Sequence, residues 1–307
     1  MIHPKIALVI INWNKPEMTL DTIKSILKIN CRQFDYQIFL VDNGSSDNSL
    51  EIFQREYKNN PKIEIIENHS NLGFVGGNNV AIKHILKLNF NQILLINNDV
   101  IVDPDFLKNL VKYTPQYQLL GPKIYFAPGY EYHNQRYQAK DKGHVIWFAG
   151  GQMDWNNIYG SHIGVDEVDH GQKDQINDQI DFLTVCCLLV NRQVFETIGL
   201  LDEKFFMYLE DADFCQRAKI AGFKMAYIPT SKIWHINSGS SKSGGDLHNY
   251  FLTRNRLLFG LRYGRFRTKL ALLKESLIQL FDPSVSKWQK IGIKDFYFQK
   301  FNKGSWQ

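Results

Sequence analysis

Four short, almost wholly apolar runs recur along the first third of the chain: residues 5–11 (KIALVII), 36–41 (YQIFLV), 63–66 (IEII) and 92–96 (QILLI). Rich in branched side chains, each has the composition of a strand buried on both faces. Between them the spacing becomes helical, with Leu20, Ile23, Ile26 and Leu27 three or four apart, and residues 49–57 and 78–88 read as further helices. Strands alternating with helices pair in parallel, because each crossover helix returns the chain over the sheet. The expected fold class is therefore α/β, an open, mostly parallel Rossmann-like sheet flanked by helices.

Beyond residue 100 the pattern loosens. Residues 105–113 read as a helix, 119–125 begin something less regular, and 127–179, rich in Gly, Asn, Asp and aromatic residues, read as loops and short strands. The run 182–190 is expected to be a buried strand, followed by helices over 193–198 and 210–221, each stopped by a glycine, and by a strand over 225–228. Residues 250–263 read as a helix. Phe266, Leu270, Leu273, Leu277 and Phe281 then mark the apolar face of an amphipathic helix, with Arg267, Lys269 and Lys274 around the turn.

With 307 residues, 44% hydrophobic and 22% charged, the chain can bury a large core, which excludes a disordered or fibrous protein. The longest nearly unbroken apolar run, 182–190, contains Thr184 and falls far short of the roughly 20 residues that span a bilayer. The first residues lack a basic segment leading into an apolar stretch, so cytoplasmic residence is expected. Cys31, Cys186, Cys187 and Cys215 have neither metal-knuckle nor disulfide-framework spacing and read as reduced core thiols. From Phe251 onward there are 12 basic and 3 acidic residues, +9, whereas the preceding chain carries 24 and 28, −4. A basic tail on an acidic body points to an anionic surface, membrane phosphate or nucleic acid, and leaves the amphipathic helix either docked on the body or lying on an acidic membrane.

Three polar clusters stand directly after predicted strands, at 12–14, 42–47 and 97–99. In a parallel sheet they share one edge and so converge on one crevice. Asp42 there can accept hydrogen bonds from a base or ribose, or cap a turn. Residues 71–78 place three glycines and two asparagines before a helix; without a Gly-x-Gly-x-x-Gly or a Walker lysine, such an entry can still approach phosphate through backbone N–H groups. Asp99 suits a divalent cation that bridges to substrate phosphates, and His235 can complete its shell. Glu210, Asp211 and Asp213 are the densest carboxylate group, and since Asp211 and Asp213 cannot share a helical face, one can aim into a site while another braces.

The ordered set formed by residues 9–14 (VIINWN), 41–47 (VDNGSSD), 71–79 (NLGFVGGNN), 95–99 (LINND), 147–151 (WFAGG), 181–184 (DFLT), 206–215 (FMYLEDADFC), 233–235 (IWH) and 250–258 (YFLTRNRLL) resembles family 2 glycosyltransferases of GT-A fold. Within that family it is similar to the rhamnosyltransferase-like enzymes of bacterial cell-surface polysaccharide synthesis. The resemblance covers about residues 5–262.

It implies inverting transfer of a sugar, rhamnose or a similar hexose, from a dTDP- or UDP-sugar to a hydroxyl of a glycan or lipid-linked saccharide. Residues 1–125 would form the nucleotide-sugar half, 126–250 the acceptor and catalytic half, and 251–307 a helical extension. Asn12, Asn14 and Asp42 would bind the nucleoside, with Asn71, Gly73, Gly76, Asn78 and Asn98 beside the donor. Mn²⁺ or Mg²⁺ would be held by Asp99 with Asn97 and His235, although Asn97 stands where the family has the first Asp of Asp-x-Asp. Asp211 would be the base, paired with Glu210, and Trp147, Asp181, Thr184 and Asp213 would bind acceptor. Val185 stands where the family usually has glycine. Arg254 and Arg256 would help hold the leaving charge and residues 238–245 would be a lid. An anionic membrane surface is an expected partner, nucleic acid is not, and the oligomeric state is left open.

Two other readings compete. A sugar-phosphate nucleotidyltransferase would share the crevice but wants a basic Gly-rich loop near Ile11, where the chain has Asn12, Trp13 and Asn14. A nucleic-acid-binding module would use the basic C-terminal part with Phe259, Tyr263 and Phe266, against which the acidic body argues.

Overall fold

The structure is a computed structural model and describes residues 3–133, 135–236 and 244–306. The N-terminal half runs β1 (Lys5–Asn12), α1 (Pro16–Ile26), β2 (Asp35–Asn43), α2 (Ser49–Tyr57), β3 (Ile63–Asn68), α3 (Gly73–Ile85) and β4 (Gln92–Ile96). β5 (Val100–Val102), α4 (Phe106–Val111), β6 (Leu119–Phe126), β7 (Ile146–Phe148), β8 (Gly151–Asp154) and β9 (Tyr159–His162) follow. The chain continues through β10 (Cys187–Asn191), α5 (Arg192–Ile198), α6 (Glu210–Ile220), β11 (Met225–His235), α7 (Asp246–Tyr263), α8 (Phe266–Phe281) and α9 (Lys287–Tyr297).

One sheet of order β3-β2-β1-β4-β10-β6-β11-β5, with β7 on β6, organises the domain, and β8 pairs only with β9. The first four strands are parallel, as the alternating pattern predicts, and Ile6, Ala7, Leu8, Val9 and Ile10 have no exposed surface. The second half is mixed: β10 enters antiparallel between β4 and β6, and β11 runs parallel to β6 but antiparallel to β5. Register sets the polar strand ends side by side, Asn12 beside Asp42 and Asn43 beside Asn68. β10 pairs Cys187 with Ile96, and the Asn97 N–H donates to the Cys186 carbonyl at 2.9 Å.

Several expectations are corrected. Residues 119–126 form a regular strand with every residue buried, whereas the strand expected over 182–190 begins only at Cys187. The glycine-rich stretch is not a loop before a helix but the first turns of α3, because Gly73 turns the chain at φ +74° and the helix starts there. β11 extends to His235 across a register shift between Ile228 and Lys232. α9 has no counterpart among the expected elements, although Ser286 and Gln289 form a capping box that announces it. In α8 the docked line is Thr268, Leu272 and Ser276, with Leu272 seated over Gly260 of α7. The expected apolar stripe instead points outward, Phe266 and Phe281 being 75% and 85% exposed. Most of the lid expected over 238–245 lies outside the described residues.

Candidate active site

A cleft of about 680 Å³ opens over the C-terminal ends of β1, β2 and β4, within the size range of ligand sites. Trp13 and Asn14 line one end, Asn97, Asn98 and Asp99 the floor, and Phe206 and Met207 the side toward α6.

Asn12 and Asp42 lie beneath this surface. Asn12 Nδ2 donates to Asp42 Oδ1 and Ser45 Oγ, both at 3.0 Å, and its Oδ1 accepts from Thr19 Oγ1 at 2.9 Å. Asp42, 2% exposed, also accepts from the Ser45 N–H at 3.0 Å. Both side chains thus brace the loop after β2. The faces turned to the cleft belong to Asn14 and two residues given no role in sequence, Trp13 and Asn43. Asn14, at φ +53°, accepts from the Ser46 N–H at 2.8 Å. The half-exposed Trp13 offers a flat apolar ring to the cleft.

Asn43 Nδ2 donates to Asn71 Oδ1 and the Gly73 carbonyl, both at 3.1 Å, tying Asn71 and α3 to the strand edge. A Cβ at Gly73 would stand 2.4 Å from the Phe206 ring, so glycine is what lets that ring lie on the helix start. Asn78 Nδ2 donates to the Phe74 carbonyl at 2.9 Å and the residue lines the cleft. Gly76 is a packing position, where a Cβ would meet Leu72 at 2.8 Å. Asn98 is held by Thr19 Oγ1 at 2.9 Å.

At the end of β4 the structure sets His235 against Asp99. His235 Nε2 lies 3.2 Å from Asp99 Oδ1, near enough to pair but outside hydrogen-bond geometry, and among the described residues the Asn97 and Asp99 Oδ1 atoms are buried without a hydrogen-bond partner. Orphaned buried polar atoms call for a missing partner. Two ligands at right angles on an octahedral ion with bonds of about 2.1 Å stand about 3 Å apart, so the Asp99 and His235 spacing fits one cation. Among the described residues no third His, Cys, Asp or Glu completes a cluster. The remaining ligands would be Asn97 oxygen and donor phosphate, a set suited to Mn²⁺ or Mg²⁺.

Thr184 and Asp211 adjoin this floor through Cys186, whose thiol is pushed well above its ordinary range by burial and then by the Asp99, Cys187 and Asp211 charges. Asp211 accepts from the Ala212 N–H at 2.8 Å and from the Thr184 hydroxyl. Burial raises its carboxyl to about 6 against those hydrogen bonds. Glu210 is pushed higher, to about 8, by burial and the neighbouring Asp211 charge, and its Oε2 has no partner among the described residues. Burial thus holds both carboxyls above their ordinary range, and the neighbouring Asp211 charge adds to the rise at Glu210, so the pair resists carrying two charges at once.

The turn that presents this pair is strained. Phe206, Tyr208 and Leu209 have φ of 62°, 67° and 67°, a region that disfavours side chains by roughly 1–3 kcal/mol each. Asn255 holds it, Nδ2 donating to the carbonyls of Phe205 at 2.9 Å, Met207 at 2.7 Å and Tyr208 at 3.0 Å. Sequence reading assigned Asn255 no role, although it sits inside the YFLTRNRLL motif.

Other expected residues are elsewhere. Arg254 is fully buried, its guanidinium spent on the carbonyls of Lys204, Phe205 and Asn302 at 3.1, 3.1 and 2.7 Å, so it cannot face a leaving group. Arg256 is engaged by Glu275 at 2.9 and 3.0 Å and by the Asn157 carbonyl. Asp213 is wholly buried between Arg217 at 2.8 Å, Arg262 and Tyr263, an internal anchor out of reach of an acceptor. Asp181 accepts from the Met153 N–H at 2.9 Å and stands 3.8 Å from Lys219, outside the cleft lining. Trp147 is likewise outside the cleft lining but packs behind the Asp99 and His235 pair, its ring 4.6 Å from that of His235 and 4.5 Å from that of His162, whose imidazole is lowered to about 4 chiefly by burial.

Among known proteins, an archaeal hexosyltransferase of low-salt glycan biosynthesis from Haloferax volcanii is 24% identical over 217 residues, 70% of this chain and 61% of the relative. An N-acetylglucosaminyl-diphospho-decaprenol L-rhamnosyltransferase of Mycobacterium tuberculosis is 24% identical over 215 residues, covering 66% of this chain and 67% of the relative. The chain spans only 25% of an uncharacterized Sinorhizobium fredii protein to which it is 23% identical. In structure, GalNAc-T7 solved with UDP, GalNAc and Mn²⁺ superposes with TM-score 0.66 at 15% identity, over 95% of this chain and 55% of that one. Staphylococcus aureus TarS with UDP-GlcNAc gives 0.59 at 14% identity over 96% and 81%. At such identity these likenesses establish the fold, which is GT-A in architecture. Residues 3–258 match the family profile described as glycosyltransferase like family 2, and the chain belongs to that family.

Proposed function

We propose that the protein is an inverting glycosyltransferase that moves rhamnose or a similar hexose from a dTDP- or UDP-sugar to a hydroxyl of a glycan or lipid-linked saccharide. The observation that carries this reading is the buried carboxyl pair Glu210 and Asp211, both raised by burial, beside a floor where Asn97 and Asp99 present oxygens without a hydrogen-bond partner and His235 Nε2 lies 3.2 Å from Asp99 Oδ1. Asp211 accepts the proton of the acceptor hydroxyl as its oxygen bonds the anomeric carbon, and the bond from that carbon to the diphosphate oxygen breaks on the opposite face. Thr184 orients the Asp211 carboxylate, and Trp147 with His162 walls the acceptor side. Trp13 stacks on the base, with Asn14 and Asn43 beside it, over the brace formed by Asn12 and Asp42. A bound Mn²⁺ or Mg²⁺ would neutralise the leaving diphosphate.

In this reading residues 1–125 carry the donor, 126–250 the acceptor and the base, and 251–307 support both. Relatives named as a hexosyltransferase and as a rhamnosyltransferase acting on a decaprenol-linked substrate favour hexose transfer to a lipid-linked acceptor. No helix of the described residues is long and apolar enough to cross a membrane. We infer peripheral docking on anionic lipid instead, through the outward face of α8, where exposed Phe266, Leu270, Leu277 and Phe281 are accompanied by exposed Arg265, Arg267 and Lys274.

A screen of dTDP-rhamnose and UDP-hexoses for donor consumption, with and without Mn²⁺, tests the reading. Mn²⁺-dependent release of one nucleoside diphosphate is expected. Inertness toward every nucleotide sugar would remove the reading, and incorporation of a nucleotide into a sugar phosphate would replace it with the nucleotidyltransferase alternative.

A further inference from the structure

Residues 298–306 follow α9 and lie beyond the stretch matched by the family profile, yet Lys303 and Trp306 close one side of the cleft. Their path is fixed at several points. Asp295 on α9 holds Ser305 with both oxygens, Oδ2 accepting from its N–H at 2.7 Å and Oδ1 from its hydroxyl at 2.9 Å. The Asn302 carbonyl accepts from Arg254 at 2.7 Å, and the Asn302 N–H donates to the Lys204 carbonyl at 3.2 Å. Gly304, at φ +58°, passes where a Cβ would stand 2.1 Å from Tyr250 Oη. The Trp306 ring packs 4.5 Å from Trp288 and 5.9 Å from Tyr250.

We propose that this segment is the outer wall of the donor site and that Lys303 is the donor-binding cation that faces the diphosphate. The inference rests on the donor reading above. Arg254 and Arg256 are committed to internal partners, so among the described residues the cations left on the cleft are Lys15 and Lys303. Lys15 precedes α1 at the end bearing Trp13 and Asn14, where a nucleoside belongs. Lys303 adjoins Asn302, which is bonded to Lys204 just before the strained turn, and it lines the cleft together with Phe206 and Met207 of that turn, so it stands on the side where the sugar and diphosphate meet. Among the described residues no carboxylate pairs with its exposed ammonium, which is thus available to a phosphate oxygen.

The test is calorimetric titration of UDP and dTDP, each with Mn²⁺, and of uridine and thymidine, into the wild type, Lys303→Met and Lys303→Arg. Lys303→Met is expected to weaken the bound diphosphate about tenfold and leave the nucleoside unchanged, with Lys303→Arg retaining most of the affinity. Unaltered diphosphate affinity in Lys303→Met overturns the role of Lys303 and leaves the donor reading standing. Equal loss for nucleoside and diphosphate points to a collapsed wall rather than a missing charge and also overturns it. A wild type that binds neither UDP nor dTDP removes both inferences together.

Discussion

His235 Nε2 lies 3.2 Å from Asp99 Oδ1 because strand register brings them there. β11 pairs antiparallel with β5, setting His235 opposite Val100, and the Ile236 N–H donates to the Asp99 carbonyl at 2.7 Å. Two residues far apart in the chain thus become a pair through backbone hydrogen bonds, before any ligand arrives.

Metal dependence follows from that pair. EDTA is expected to suppress turnover and Mn²⁺ to restore it, with Asp99→Asn and His235→Ala each raising the Mn²⁺ concentration for half activation by about tenfold or more. Turnover indifferent to EDTA would remove the cation from the mechanism.

Asp211→Asn keeps the shape of the site and deletes the proton acceptor. Transfer should fall by roughly 10²–10⁴-fold with nucleoside diphosphate binding retained. Near-normal rates in this variant would mean that another group is the base.

The pH profile has a defined sign. Since Asp211 must be ionised to act and its carboxyl is raised to about 6, kcat/KM should climb as pH rises through about 6. Glu210→Gln should leave that limb nearly in place, because the Asp211 carboxyl is raised by burial rather than by the Glu210 charge. The raised Asp211 also favours the protonated folded state, so its contribution to stability is present below pH 4 and lost as pH rises through 6. Asp211→Asn should accordingly be no less stable than the wild type at pH 8, measured by thermal melting, and a flat rate profile from pH 5 to 8 would contradict the assignment.

Asn255→Ala removes the side-chain donor that ties together the carbonyls of Phe205, Met207 and Tyr208, of which Phe205 keeps Arg254. A loss of about 3 kcal/mol is expected in chemical denaturation, with a fall in kcat exceeding that in donor affinity. Wild-type stability and kcat would show that the turn holds itself.

Lipid docking is read by flotation. The protein should float with vesicles containing anionic lipid, less so at high salt, and Phe266→Ser with Phe281→Ser should abolish it. Equal recovery with neutral and anionic vesicles would discard the membrane surface.

Much of the architecture was legible because it is written locally. The apolar runs from 5 to 96 announce strands buried on both faces, and the residues that end them, Asn14, Asn98 and Asp99, line the cleft because parallel strands share one edge. The Glu210 and Asp211 pair was visible as a carboxylate cluster at a helix start. Less legible was the direction of side chains whose partners lie far away. Arg254 looked like a phosphate ligand but is drawn inward by carbonyls from residues 204, 205 and 302, and Asp213 is enclosed by Arg217, Arg262 and Tyr263. The outward turn of α8 was hidden as well, since periodicity locates an apolar face without saying which neighbour approaches it.

The sequence by itself determined the alternation of strands and helices and hence the shared edge on which polar strand ends gather, because buried strands and crossover helices carry their patterns residue by residue. Tertiary structure alone decided that His235 meets Asp99, that Asn255 restrains the turn before Asp211, and that Lys303 returns to the cleft. Those encounters depend on strand register and on long-range bonds to backbone carbonyls, which every residue possesses and which therefore leave no mark in the order of side chains.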